Sequence, residues 1–177
     1  MNAWESLNLK QKSAYFLALS EFAFNKILLH SNSTLLVKEA LSLAWEGWDL
    51  RAVDCLAFES IVMPPSEDGL YMAFLKTEDP SRRAALMCIM DMVGYVGYYY
   101  CVESGIDDMP QSVENVPAVD VLSDFNAFFD QAIPNGSVMR NKLLAILTAT
   151  DPNSLSRDSI TALLSKLLED SEQTLPE

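Results

Sequence analysis

A chain of 177 residues, half of them hydrophobic and 10 % aromatic, can close one core without staples and lies far from the composition of disorder. Its 25 acids against 12 bases leave a net charge of −13, which repels nucleic acid and anionic membrane and favours a cationic partner. A single histidine excludes every site that needs two, HExxH zinc centres among them.

Taken in order, the chain predicts helices throughout. The first runs from about Leu9 to Leu29, with Leu9, Phe16, Ala23 and Ile27 on one face and Gln11, Glu21 and Asn25 opposite. His30 follows at its C-terminal end, where an imidazolium would complement the helix dipole. Ser33 is placed to cap a second helix, whose inner side carries Val37, Ala40, Leu41, Ala44 and Trp48 while Trp45 falls at its margin. Gly47 and Asp49 are read as its end and the cap of a third helix, in which Leu50, Val53, Ala57 and Ile61 share a face. Met63-Pro64-Pro65 stops that helix, because a residue before proline avoids helical geometry. A short helix from Glu67 to Lys76 is expected next, capped by Ser66.

The longest apolar run comes after Asp79-Pro80, a helix start in which the carboxylate accepts from free amides and proline needs no donor. Between there and the stop at Gly105, apolar side chains point in every direction, as a helix enclosed by others requires. Pro80 to Ser104 is therefore the expected central helix. Its apolar stretch approaches membrane-spanning length, but Asp91 lies at the middle, where a charge costs roughly 2.5 to 3.5 kcal/mol on insertion scales. Gly94 and Gly97 would let a neighbour approach closely, and Asp91 is expected to be satisfied by the Tyr95 hydroxyl or a basic group.

The stretch IDDMPQSVENVPA, with two prolines and three acids, reads as an acidic loop. A helix from Val119 to Ala132 turns Val121, Leu122, Phe125, Phe128, Phe129 and Ala132 inward and puts Asp120 and Asp124 on its outer face. Pro134-Asn135-Gly136 is a turn; Ser137 caps a helix with the stripe Met139, Leu143, Ile146, Leu147. Beyond a turn at Asp151-Pro152-Asn153, Ile160, Leu163, Leu164, Leu167 and Leu168 mark a final helix, and 171–177 is a frayed tail. The expectation is a single all-α domain over 1–177, a bundle of about seven to eight helices around the central one.

Catalytic motifs are absent: there is no phosphate-cradling glycine loop, nucleophile elbow, calcium loop or paired-cysteine zinc spacing. The reading is a non-enzyme with no cofactor and no metal, binding neither nucleic acid nor membrane. Cys55, Cys88 and Cys101 read as small core residues in a reducing compartment, and the opening MNAWESLNLKQK carries no signal-peptide pattern. Charge is distributed unevenly. From Ala84 through Met139 there are eight acids and no base. The candidate partner surface is drawn from that region: Asp107, Asp108, Glu114, Asp120, Asp124 and Asp130, with Trp45 as an aromatic anchor. Reversing Asp120 and Asp124 to Lys is expected to slow association and leave folding intact.

Ser33 to Asp49, with its W-E-G-W pair of tryptophans, followed by a Tyr-rich central helix and a Phe-rich later one, resembles the all-α immunity proteins of bacterial polymorphic toxin systems. The resemblance implies a cytoplasmic protein that binds and neutralises a cognate toxin domain, a basic one such as a nuclease; it transfers no functional residue and leaves the oligomeric state open. A helical adaptor or chaperone, using the eight methionines as a flexible groove, is the alternative.

Overall fold

The computed structural model describes residues 3–64, 68–118 and 120–173, with side chains described through Lys166 in the last segment apart from that of Ala118. Among the described residues there is no strand, and the helices are α1 (Leu9–Ala23), α2 (Thr34–Trp48), α3 (Cys55–Val62), α4 (Leu70–Lys76), α5 (Pro80–Glu103), α6 (Gln111–Glu114), α7 (Val121–Ala132), α8 (Gly136–Ala149) and α9 (Arg157–Gln173). The all-α bundle is as expected. The expected cap at Ser66, the helix starts at Glu67 and Val119, the side chains of Leu167 and Leu168, and 174–177 all lie outside the described residues.

Two helices carry the packing. α5 is covered by α1, α2, α3, α4, α6 and α7, whereas α8 and α9 pack on α1. Asp79 starts α5 as its sequence requires, its carboxylate accepting from the Arg82 N–H at 2.8 Å with Pro80 in the first turn. Gly105, at φ +66°, ends it. This helix is long and apolar enough to cross a membrane, yet 61 % of its most apolar window is buried among its neighbours, and that burial makes it a core helix.

Helix α1 is more enclosed than a single stripe predicts. Ser13, Ala14, Tyr15, Phe16, Leu17, Ala18, Leu19 and Ser20 are buried in succession. Gln11, assigned to the outer face, is buried too: it closes a capping box with Asn8, and its Nε2 donates to the Leu147 and Thr150 carbonyls at 2.8 and 3.0 Å. Those carbonyls belong to the end of α8, where helical acceptors lack partners, so a buried amide is satisfied by a neighbouring helix terminus. Past Ala23 the helix widens into a π turn, Phe24–Leu28. The extra residue in such a turn advances the inward face by one, so Leu28 is 1 % exposed while Ile27 is only half-buried.

Several caps differ from expectation. Ser33 stands before α2 but makes no side-chain cap; the Thr34 hydroxyl instead lies within hydrogen-bonding distance of the Leu28, Leu29 and Ser31 carbonyls. α2 ends with Leu50, not glycine, in the left-handed region at φ +55°, and the Arg51 N–H closes the turn on the Glu46 carbonyl. Gly47 has another duty: a Cβ there would come within 2.6 Å of the Phe58 ring, and one at Gly97 within 3.0 Å of the same side chain. Phe58 is thus held between α2 and α5 by two missing side chains. α3 begins at Cys55, capped by Asp54, so Leu50 and Val53 precede it. Val53 is tied to α5 by both backbone groups, its N–H donating to the Tyr100 hydroxyl and its carbonyl accepting from it. The acidic loop holds a short helix, α6, and a 3₁₀ turn, Val116–Ala118. Asn135, left-handed at φ +60°, precedes α8 in place of a Ser137 cap. α9 extends through Gln173, into the segment read as tail.

The cysteines require a correction. Cys55 and Cys101 are joined as a disulfide between the start of α3 and the end of α5, with Cα atoms 6.7 Å apart, while Cys88 is a buried free thiol. Linear spacing carried no sign of this, because the pair meets only where the two helices cross.

Candidate partner-binding site

The tryptophan pair is interior. Trp45 and Trp48 are 1 % and 2 % exposed and meet edge to face at 5.7 Å. Each indole N–H has a partner: Trp45 donates to Glu21 Oε2 at 3.1 Å, Trp48 to the Lys10 carbonyl at 3.2 Å. The Arg157 guanidinium lies over the Trp45 ring. Trp45 therefore offers no surface to a partner, which corrects its assignment as an anchor. α2 packs on α1, α3 and α5, and Glu21 and Arg157 cover its margin at Trp45, while Lys38, Glu39, Ser42 and Glu46 stay exposed. Glu21, read as outer, is half-buried, and burial raises its carboxyl above the ordinary value against the opposing pull of the indole and Arg157.

The acidic candidates separate by environment. Asp107 and Asp108 are exposed in the connection after α5, and Glu114 is exposed at the end of α6. Asp120 is exposed but committed: its carboxylate caps α7 by accepting from the Ser123 N–H at 3.1 Å. Reversing it to Lys would remove that cap and lower the stability of α7, so this change does not leave folding intact. Asp124 is exposed in the first turn of α7, where a carboxylate complements the helix dipole. Asp130 is already paired. Its two oxygens accept from Arg140 Nε at 2.9 Å and from a second guanidinium nitrogen at 2.6 Å, a fork that the base-free stretch of sequence conceals because Arg140 lies one residue beyond it.

A cleft of about 300 Å³ opens between α3 and α7 over the middle of α5. Phe58, Val62, Met63, Met90, Val113 and Val116 give it apolar walls, and Asp91, Glu59 and Ser112 its polar ones. Val113 and Val121 in this lining are chain neighbours of Glu114 and Asp120, so the cleft lies among the exposed acids of the α6–α7 region. On its rim Met63 is 65 % exposed, and Leu56, two turns earlier on α3, is 58 % exposed. Gly94 also lines it, where a Cβ would meet Val116 at 3.4 Å.

Asp91 was expected to be a satisfied core carboxylate, and it is not. Its Oδ2 is shut off from solvent with no hydrogen-bond partner. The Tyr95 ring is engaged elsewhere, stacked on Phe16 at 4.4 Å. Burial, helped by the negative charge of Asp124, pushes the Asp91 carboxyl up from 3.8 to about 7. The surrounding sequence held the signal, one charge in the most apolar stretch of the chain; only the missing partner was invisible there. Elsewhere in the core burial likewise raises the Cys88 thiol and pushes Tyr15 and Tyr95 up to about 12.

Among the described residues no group of three His, Cys, Asp or Glu side chains is placed to hold a metal ion. His30 is exposed in the turn after the π segment. The region combines exposed carboxylates with an apolar cleft that Asp91 lines, one oxygen of its carboxylate shut off from solvent.

Comparison with curated proteins and with solved structures returned no match. A family model described as Immunity protein Imm6 matches residues 11–132, a span that runs from the buried Gln11 through α5, the cleft and all of α7. With more than half of its length matched, the chain belongs to the Imm6 family of immunity proteins, whose role implies a toxin as its protein partner.

Proposed function

We propose that this immunity protein neutralises a basic toxin domain, such as a nuclease, by binding it in the cytoplasm through the acidic face around α6 and the start of α7, without catalysis. The family match over residues 11–132 carries the reading. The exposed carboxylates of Asp107, Asp108, Glu114 and Asp124 support the choice of a basic partner, since a field of one sign speeds encounter with its opposite. The exposed apolar side chains of Leu56 and Met63 on the α3 side of the cleft supply desolvating contacts, as the centre of a stable interface requires.

The test is capture from lysate of the native organism at low and high salt, followed by co-expression of the captured protein with this chain. One stoichiometric, basic, growth-arresting partner whose toxicity the chain abolishes is the expected result. Weak binding to many unrelated chains would replace this reading with the adaptor. Charge reversal should be made at Asp107, Asp108 and Asp124, leaving the Asp120 cap in place. A cytoplasmic address also predicts the state of Cys55 and Cys101, because that compartment keeps thiols reduced. Both sulfurs are buried, so the read-out is alkylation after acid-quenched denaturation of the cells: labelling of both is expected in the cytoplasm, and protection of both, as the Cys55–Cys101 bond of the structure, would overturn the cytoplasmic address.

A further inference from the structure

One oxygen of the Asp91 carboxylate is the least explained polar atom among the described residues. A native protein leaves few buried polar atoms without partners, because each forfeits its hydration and gains nothing in exchange. Asp91 Oδ2 is the buried side-chain oxygen or nitrogen left in that state among the described residues. Among the described residues no Lys or Arg lines the cleft to relieve it. Several bases are held elsewhere, Arg140 on Asp130, Arg83 over Phe74, Lys10 over Trp48 and Arg157 over Trp45. The titratable groups that face Asp91 all add negative charge or none. Glu59 comes from α3, Asp124 from α7, and the Cys88 thiol lies one turn back on α5.

We propose that the cleft over α5 receives one arginine side chain of the toxin, its aliphatic stem against Met63, Met90 and Val116 and its guanidinium paired with Asp91. The shape and the charge point to the same occupant. The cleft's volume suits a single long side chain, its walls suit methylene groups, and its polar side is acidic. Arginine fits better than lysine because its head is more weakly hydrated and its planar fork matches a carboxylate. The pairing would restore an ordinary ionised carboxylate, since a positive neighbour favours the charged form that burial disfavours. This rests on the reading of the protein as a toxin binder, and deepens it by naming the group that the buried acid serves.

The test uses the full chain and two probes, Nα-acetyl-arginine N-methylamide and its uncharged norleucine counterpart, with the Asp91 carboxyl carbon followed by NMR. Saturable shifts with the arginine derivative, a fall in the apparent pKa of Asp91 from about 7, and no response to norleucine are expected. No response to the arginine derivative, or an equal one to norleucine, overturns the assignment while leaving the immunity reading in place. Against the toxin, Asp91→Asn should weaken binding by about thirtyfold or more, the cost of removing one member of a buried charge pair. Unchanged toxin affinity in that variant overturns the proposal even if the small probe binds. Loss of the immunity reading itself would be seen separately, as failure of the wild-type chain to protect cells from any captured partner.

Discussion

Helices α1 and α5 are both enclosed, and both bury polar side chains, but they treat them in opposite ways. On α1 the buried polar groups have partners: Gln11 donates to two carbonyls at the end of α8, Ser13 to the Leu9 carbonyl at 2.9 Å, Ser20 to the Cys88 carbonyl at 3.0 Å, and Tyr15 to Asn126 Oδ1 at 2.9 Å. On α5 the one acid of the apolar stretch has an oxygen with none. Satisfied polar groups in a core fix the register of neighbouring helices, and their value is structural. An unsatisfied one that lines a cleft lowers stability, because its lost hydration is not replaced. The comparison separates the polar residues that build this fold from the one that its partner would use.

The comparison can be broken at its framework first. Trp48→Ala removes a fully buried ring that both helices lean on through α2, and should cost about 3 to 5 kcal/mol in urea unfolding; a loss under 1 kcal/mol would mean that α2 is dispensable to the core. Asp91→Asn should move the other way. A carboxyl raised from 3.8 to about 7 penalises the folded state by something on the order of 4 kcal/mol once ionised. Because the folded-state value lies above the unfolded one, the associated stability is full below the lower value and is lost as pH rises through about 7. At alkaline pH the asparagine variant should therefore be the more stable protein, as read by thermal melts. Gln11→Leu leaves two α8 carbonyls without their donor and should cost about 1 to 3 kcal/mol, with hydrogen exchange accelerated at the end of α8; an unaffected α8 would remove the distinction between the two helices. The smallest effect belongs to Leu50, half-exposed and left-handed, where Leu50→Gly should raise stability by about 1 kcal/mol by relieving its backbone.

Much of the fold was legible because local signals agreed. Asp79-Pro80 and Gly105 bracket α5, Pro134-Asn135-Gly136 turns α7 into α8, and the apolar spacing of α2 places Trp48 inside. What escaped depends on groups that meet only in three dimensions. Gln11 looked solvent-facing because its acceptors lie about 140 residues away. Trp45 looked marginal on its helix, but it packs edge to face on Trp48 while Gly47 between them makes room for Phe58. The acidic stretch looked uniform, but Asp120 is spent on a cap and Asp130 on Arg140, leaving the exposed charge at Asp107, Asp108, Glu114 and Asp124. Asp91 stood out in the sequence for a sound reason, the cost of a charge among apolar neighbours; that its oxygen would find no partner needed the helices around it.

The measurement that tests the central claim most directly is the pH dependence of unfolding free energy for the wild type and Asp91→Asn, between about pH 5 and about pH 8. If a buried acid is held unpaired for a partner's use, the wild type loses stability across that interval by a few kcal/mol more than the variant, and the stabilised variant protects cells less well from the toxin. Parallel profiles for the two proteins, with protection unchanged, would contradict it: Asp91 would then be satisfied in the free protein and of no account to its partner.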